Sequence, residues 1–161
     1  MSLTTVQYLA LSQFAYNNFS QSDVDSDPPT TISDLLERYA VEHEGEPVLE
    51  ALSEISNWKL VGFQANTSQG FAGMAFQAPN GANGEPGEIV FSFRGTEEGR
   101  LDYQTDFWLA VGGVPAQFTD VENFYNSVTA SHPTNTVSFT GHSLGGALAQ
   151  YMTYYTDGDG Y

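Results

Sequence analysis

Gly141-His142-Ser143-Leu144-Gly145 has the form G-x-S-x-G, with TVSFT before it and GALAQ after it. β-formers on one side and small helix formers on the other predict a strand, a tight turn and a helix, with the serine in the turn. A serine held in this way sits at strained backbone angles, and the strand and helix approach so closely that small residues are needed two before and two after it. Gly141, Gly145 and Gly146 meet that need. The chemistry implied is attack by the Ser143 hydroxyl on an electrophilic carbon. The Leu144 N–H, at the positive end of the helix dipole, is the first candidate donor to the developing oxyanion. The five-residue pattern alone also arises by chance in loops; its flanks make it specific here.

The elements that must position this turn are legible upstream. Leu3, Val6, Leu9, Ala10 and Phe14 recur at three- and four-residue intervals after Ser2 and Thr4, predicting an amphipathic helix that ends near Asn17. Gln21 to Thr30 reads as a polar loop. Thr31 with Asp34 fits a capping box ahead of Leu35, Leu36 and Tyr39, and a short helix is expected from Pro47, with Val48, Leu52 and Ile55 inward. From Trp58 the period changes: WKLVGFQAN and GFAGMAFQA predict a strand pair, and EIVFSF, ending at Arg94-Gly95-Thr96, a buried strand. Helices are expected over Thr105–Ala110 and Ala116–Ala130, the latter with Phe118, Val121, Phe124, Tyr125 and Val128 on one face.

GHSLGGALA, together with the upstream strand ending in FRGT, resembles the class 3 lipases, the fungal-lipase-like branch of the α/β-hydrolases, over roughly Trp58 to Tyr155. The resemblance implies an α/β fold: part of an α/β-hydrolase sheet with flanking helices, its C-terminal half missing. It implies one incomplete domain over 1–161, with N-terminal helices in 1–57 and core strands through the elbow helix in 58–161. It implies a serine hydrolase of carboxylic esters, acylglycerols or phospholipids, working through an acyl-enzyme on Ser143. Thr96 becomes the second oxyanion residue, and Asp106 in YQTDF becomes an ion-pair partner for Arg94, against the alternative of ordinary surface charge. The lid falls at about Glu97 to Tyr103. Trp108, Leu109 and Val111 either line an acyl groove or pack a helix onto the sheet. Partners implied are a lipid or other ester substrate, with transient lipid-interface contact; a catalytically incomplete binding or assembly module is the rival reading.

In α/β-hydrolases the triad order is Ser, then Asp or Glu, then His. Eighteen residues follow Ser143 and none is a histidine. His142 lies inside the motif, His132 just before the strand and His43 in a Glu-rich segment, so none is expected to be the base. Asp157 and Asp159 come too soon after the elbow helix to be the acid. In subtilisin, loss of the serine or histidine alone costs on the order of a million-fold in turnover, so negligible turnover is expected of this chain alone.

Composition excludes other classes. Leu, Ile, Val and Phe make up 37 of 161 residues, above the roughly 20% below which a charged chain stays disordered. A net charge of −16 with only Arg38, Lys59, Arg94 and Arg100 as basic residues argues against nucleic acid and anionic membranes. There is no cysteine, hence no disulfide and no thiolate metal site. No apolar run is long enough to span a bilayer. No N-terminal signal is visible; the acidity either serves solubility or marks a secreted or salt-adapted protein, and an extracellular location is the expectation. Asp23, Asp25 and Asp27 are spaced like a calcium loop, but Pro28 replaces the glycine and Asp34 the bidentate Glu, so an acidic solvated loop is expected. No cofactor and no metal are expected.

Overall fold

A computed structural model describes residues 3–16, 19–40, 47–95 and 116–158. The runs of β-formers are its strands: β1 (Lys59–Gln64), β2 (Gly73–Gln77), β3 (Ile89–Phe93) and β4 (Val137–Gly141), joined in one sheet in that spatial order. β1 with β2 and β2 with β3 are antiparallel. β3 and β4 are parallel, in register from Ile89 opposite Val137 to Phe93 opposite Gly141. A parallel pair requires a crossover, and the helix Ala116–Ser131, here α5, lies on it. Five other helices are described: α1 (Thr5–Phe14), α2 (Gln21–Val24), α3 (Ile32–Ala40), α4 (Pro47–Ser53) and α6 (Leu144–Gly158).

Alternation along the strands sends side chains into two cores. Leu60, Met74, Phe76 and Val90 pack with Leu11, Phe14, Ile32, Leu35 and Leu52 of the N-terminal helices. Ala75, Ile89, Phe91 and Phe93 point the other way, against Val121, Phe124 and Val128 of α5 and Leu148 and Met152 of α6. All five residues of β3 are buried, which is why four of them are apolar instead of alternating with polar ones, and the fifth, Ser92, satisfies its hydroxyl on the Leu11 carbonyl. Phe91 alone meets the rings of Phe124, Tyr125 and Phe139 at 5.5–5.7 Å; burying each such side chain contributes about 1.5–3 kcal/mol. The result is a small mixed sheet with helices on both faces, of α/β character.

Two expectations for the N-terminal part need correction. Val6 and Leu9 are exposed, at 63% and 57%, whereas Leu3, Gln7, Ala10, Leu11 and Phe14 are buried. Gln7 belongs to that inner stripe because it closes a capping box with Thr4: the Gln7 Oε1 accepts from the Thr4 N–H at 2.9 Å. A buried polar residue therefore stands where an apolar one would define the face. The stretch from Gln21, read as loop, opens with one helical turn, since Ser20 and Asp23 form a second capping box. The Thr31–Asp34 box is present as read, with Asp34 Oδ2 accepting from the Thr31 N–H and hydroxyl at 2.7 Å each.

The acidic loop has no cation-site geometry. Asp23 is buried and accepts from Arg38 at 2.8 Å and from the Ser20 N–H at 2.8 Å. Burial works against its charge, but the Arg38 and Ser20 bonds prevail and hold the carboxyl below its ordinary range. Among the described residues no group of His, Asp or Glu is arranged to hold a metal ion, and no helix is long and apolar enough to cross a membrane.

Candidate active site

β4 ends at Gly141 and α6 begins at Leu144, so His142 and Ser143 alone make the turn. Ser143 has φ +57°, the only positive φ at a non-glycine position among the described residues. A side chain in that left-handed region costs roughly 1–2 kcal/mol, so the surrounding structure must impose it. The imposing contacts are backbone to backbone. A Cβ on Gly141 would lie 2.2 Å from the carbonyl of Gly145, and one on Gly145 would lie 2.1 Å from the Phe93 carbonyl oxygen. The helix thus rests directly on the C-terminal ends of β3 and β4, and the chain can turn from strand to helix only through the strained angle. Two short bonds close the turn: the Gly145 N–H donates to the His142 carbonyl at 3.0 Å, and the Gly146 N–H to the Ser143 carbonyl at 2.9 Å.

Ser143 is exposed at the tip of this turn. The Gly145 and Gly146 amides serve the turn. The Leu144 N–H, first in α6, has no carbonyl one turn back within the helix to bond, and with the helix dipole it points positive potential toward the serine end.

The strand after which an oxyanion loop was expected also reaches the elbow. Gly95 is buried, and a Cβ there would lie 2.5 Å from the His142 carbonyl oxygen and 3.2 Å from the Ser143 Cβ. Only glycine allows the chain leaving β3 to pass so near. Arg94 is half-buried, and its N–H donates to the Ala72 carbonyl at 3.0 Å. Thr96 and Asp106 lie outside the described residues, as do the expected lid at 97–103, the helix at 105–110, and Trp108, Leu109, Val111, His43 and Asp159.

The two described histidines are accounted for. His132 stands before β4, at the opposite end of the strand from Ser143, with Nδ1 3.0 Å from the Val128 carbonyl oxygen. His142 is exposed, with Nδ1 3.4 Å from the phenol oxygen of Tyr16. That same oxygen accepts from the Gly95 N–H at 3.0 Å. Tyr16 is the residue that sequence reasoning missed. It stands 79 positions from Gly95, in no motif, and only the fold brings it to the elbow.

Comparison with known proteins corrects the family reading. The model of the family described as Mbeg1-like matches residues 51–159, about two thirds of the chain. No curated protein and no solved structure matches. The family shown is not a lipase family, so the resemblance to class 3 lipases, and with it the assignment as a triacylglycerol lipase or phospholipase, does not stand. The physical reason is that Gly95, Gly141 and Gly145, glycines of the two motifs, are what the crowding at this turn demands. Glycines where backbones touch follow from local sterics, and motifs built largely of them cannot tell one family with such a turn from another.

Proposed function

The chain belongs to the Mbeg1-like family, and from that premise, with the geometry of the turn, we propose that Ser143 is a reactive nucleophile. The observation that carries the proposal is the strained φ of +57° at Ser143, kept at an exposed bend between a parallel strand and a helix N-terminus. Strain of this kind is costly and persists where the surroundings over-determine it, as at reactive sites. In the proposed chemistry the Ser143 Oγ attacks an electrophilic centre, and the Leu144 N–H, with Thr96 as the second group, stabilises the negative charge that develops there. This arrangement also supports the view that β3, β4 and α6 are part of an α/β-hydrolase sheet, in which the nucleophile follows a parallel strand. His132 and His142 are engaged elsewhere, so the base that would speed the attack is not proposed from them. Slow chemistry is the expectation for these residues by themselves.

The test is a fluorophosphonate probe. Its reaction joins Ser143 Oγ to phosphorus as the P–F bond breaks, releasing fluoride, with the hydroxyl proton passing to solvent. One adduct is expected, mapped to Ser143 by peptide mass spectrometry and absent in Ser143→Ala. Labelling spread over other serines, or equal labelling of that variant, overturns the proposal.

A further inference from the structure

We propose that Tyr16 is a positioning residue for this elbow, acting from outside the family-matched segment 51–159. Its phenol ties together the two backbone segments that border Ser143. The oxygen accepts from the Gly95 N–H at 3.0 Å, fixing the chain where it leaves β3. The same oxygen lies 3.4 Å from His142 Nδ1, on the residue just before the serine, and the two rings meet edge to face at 6.1 Å. A Cβ at position 95 would come within 2.7 Å of this phenol oxygen and 3.2 Å of the Ser143 Cβ, so all three groups occupy one small volume.

The direction of the second bond follows from the first. A phenol oxygen that already accepts from an amide is polarised to donate its own proton, and it donates to His142 Nδ1. The imidazole is thereby held as the Nε2–H tautomer, which the other ring nitrogen's partner decides. His132 provides the opposite case. Its Nδ1 faces the Val128 carbonyl at 3.0 Å, which can only accept, so there Nδ1 carries the proton. The tie fixes the wall of the site on the Gly95 side, and its consequence for Ser143 reactivity rests on the nucleophile reading above.

The experiment compares wild type with Tyr16→Phe, which keeps the ring and deletes the hydroxyl. At slightly alkaline pH, imidazole ¹⁵N spectra of the wild type are expected to show His142 as Nε2–H and His132 as Nδ1–H. In Tyr16→Phe, the His142 preference is lost and His132 is unchanged. Hydrogen exchange of the Gly95 amide is expected to accelerate roughly threefold to tenfold, the loss of one hydrogen bond, while the Phe91 amide in β3 keeps its rate. Fluorophosphonate labelling of Ser143 slows by a similar factor. A wild-type His142 in the Nδ1–H form, an unchanged Gly95 amide, or equal acceleration at Phe91 overturns the proposal. If wild type does not label at all, the nucleophile reading falls, and the tautomer and amide exchange still decide the role of Tyr16.

Discussion

The two ends of the β3–β4 pair are braced by the same device and differ in what it serves. Tyr8 and Tyr16 come from one N-terminal segment, eight residues apart; a helix rises about 12 Å over that interval. Ser138 and His142, which they meet, are four strand positions apart, about 13 Å, so one segment spans the pair from end to end. In between, the Ser92 hydroxyl donates to the Leu11 carbonyl at 2.8 Å and the Thr140 hydroxyl to the Tyr8 carbonyl at 3.0 Å. At the N-terminal end, Tyr8 meets Ser138 at 3.1 Å and Glu88 at 3.3 Å, and the Ser138 hydroxyl donates to Glu88 at 2.7 Å. The serine there lies in an ordinary strand, half-buried, its proton given to a carboxylate. At the C-terminal end the tyrosine braces backbone, and the serine stands exposed at φ +57°. The difference teaches that the same hydrogen-bonded strut can end on a relaxed strand or on a strained turn, and that the strain at Ser143 comes from the turn and not from the strut.

The largest effect expected is at the crowded glycines. Gly145→Ala puts a methyl group 2.1 Å from the Phe93 carbonyl oxygen, and because both sides are backbone the variant should lose at least about 3 kcal/mol, read by urea unfolding. Retained stability would mean that the elbow is not held by this contact. Next is Ser143→Gly, which relieves the left-handed strain: a gain of about 1 kcal/mol is expected, together with complete loss of phosphonylation. Ser143→Ala should lose labelling with no such gain, and if the glycine variant is no more stable than the alanine one, strain at this turn is not the distinguishing feature.

Ser138→Ala sharpens the comparison from the other end. It should cost about 1–2 kcal/mol, the bond to Glu88 being charge-assisted, and leave labelling at Ser143 unchanged. Should labelling fall as well, the two ends are coupled through the N-terminal segment. The smallest effect is in pH. Burial, followed by the neighbouring Glu88, raises the Tyr8 phenol above its ordinary 10.0, the Ser138 bond opposing in part. A group with a raised folded value stabilises fully below its unfolded value and loses that contribution as pH rises through the folded one. Stability should therefore fall above about pH 10, and Tyr8→Phe should make that fall shallower in unfolding curves taken at successive pH values. Tyr151, pushed up to about 12 by burial and by Glu122, takes part in the same decline, so the comparison is made in a Tyr151→Phe background.

The strands and the elbow were legible because local rules dictate them. Val137 to Thr140 can hardly avoid a strand, and Gly141, Gly145 and Gly146 announce a close backbone contact by their spacing alone. The inner face of α1 was misread, since Gln7 is buried by a capping bond rather than by apolar character. Tyr16 carried no signal at all. Family was the other failure, for motifs built by sterics are shared wherever the same turn is built.

By itself, then, the sequence determined where strands and turns sit: Ser143 at the bend, the glycines around it, the Thr31–Asp34 capping box and the β-forming runs. These depend on neighbours within a few positions, where chain geometry leaves few choices. Tertiary structure alone decided that Gly95 passes against Ser143 and that Tyr16 reaches both Gly95 and His142. Those are contacts between residues tens of positions apart, and they exist only once the two cores have packed the helices onto both faces of the sheet.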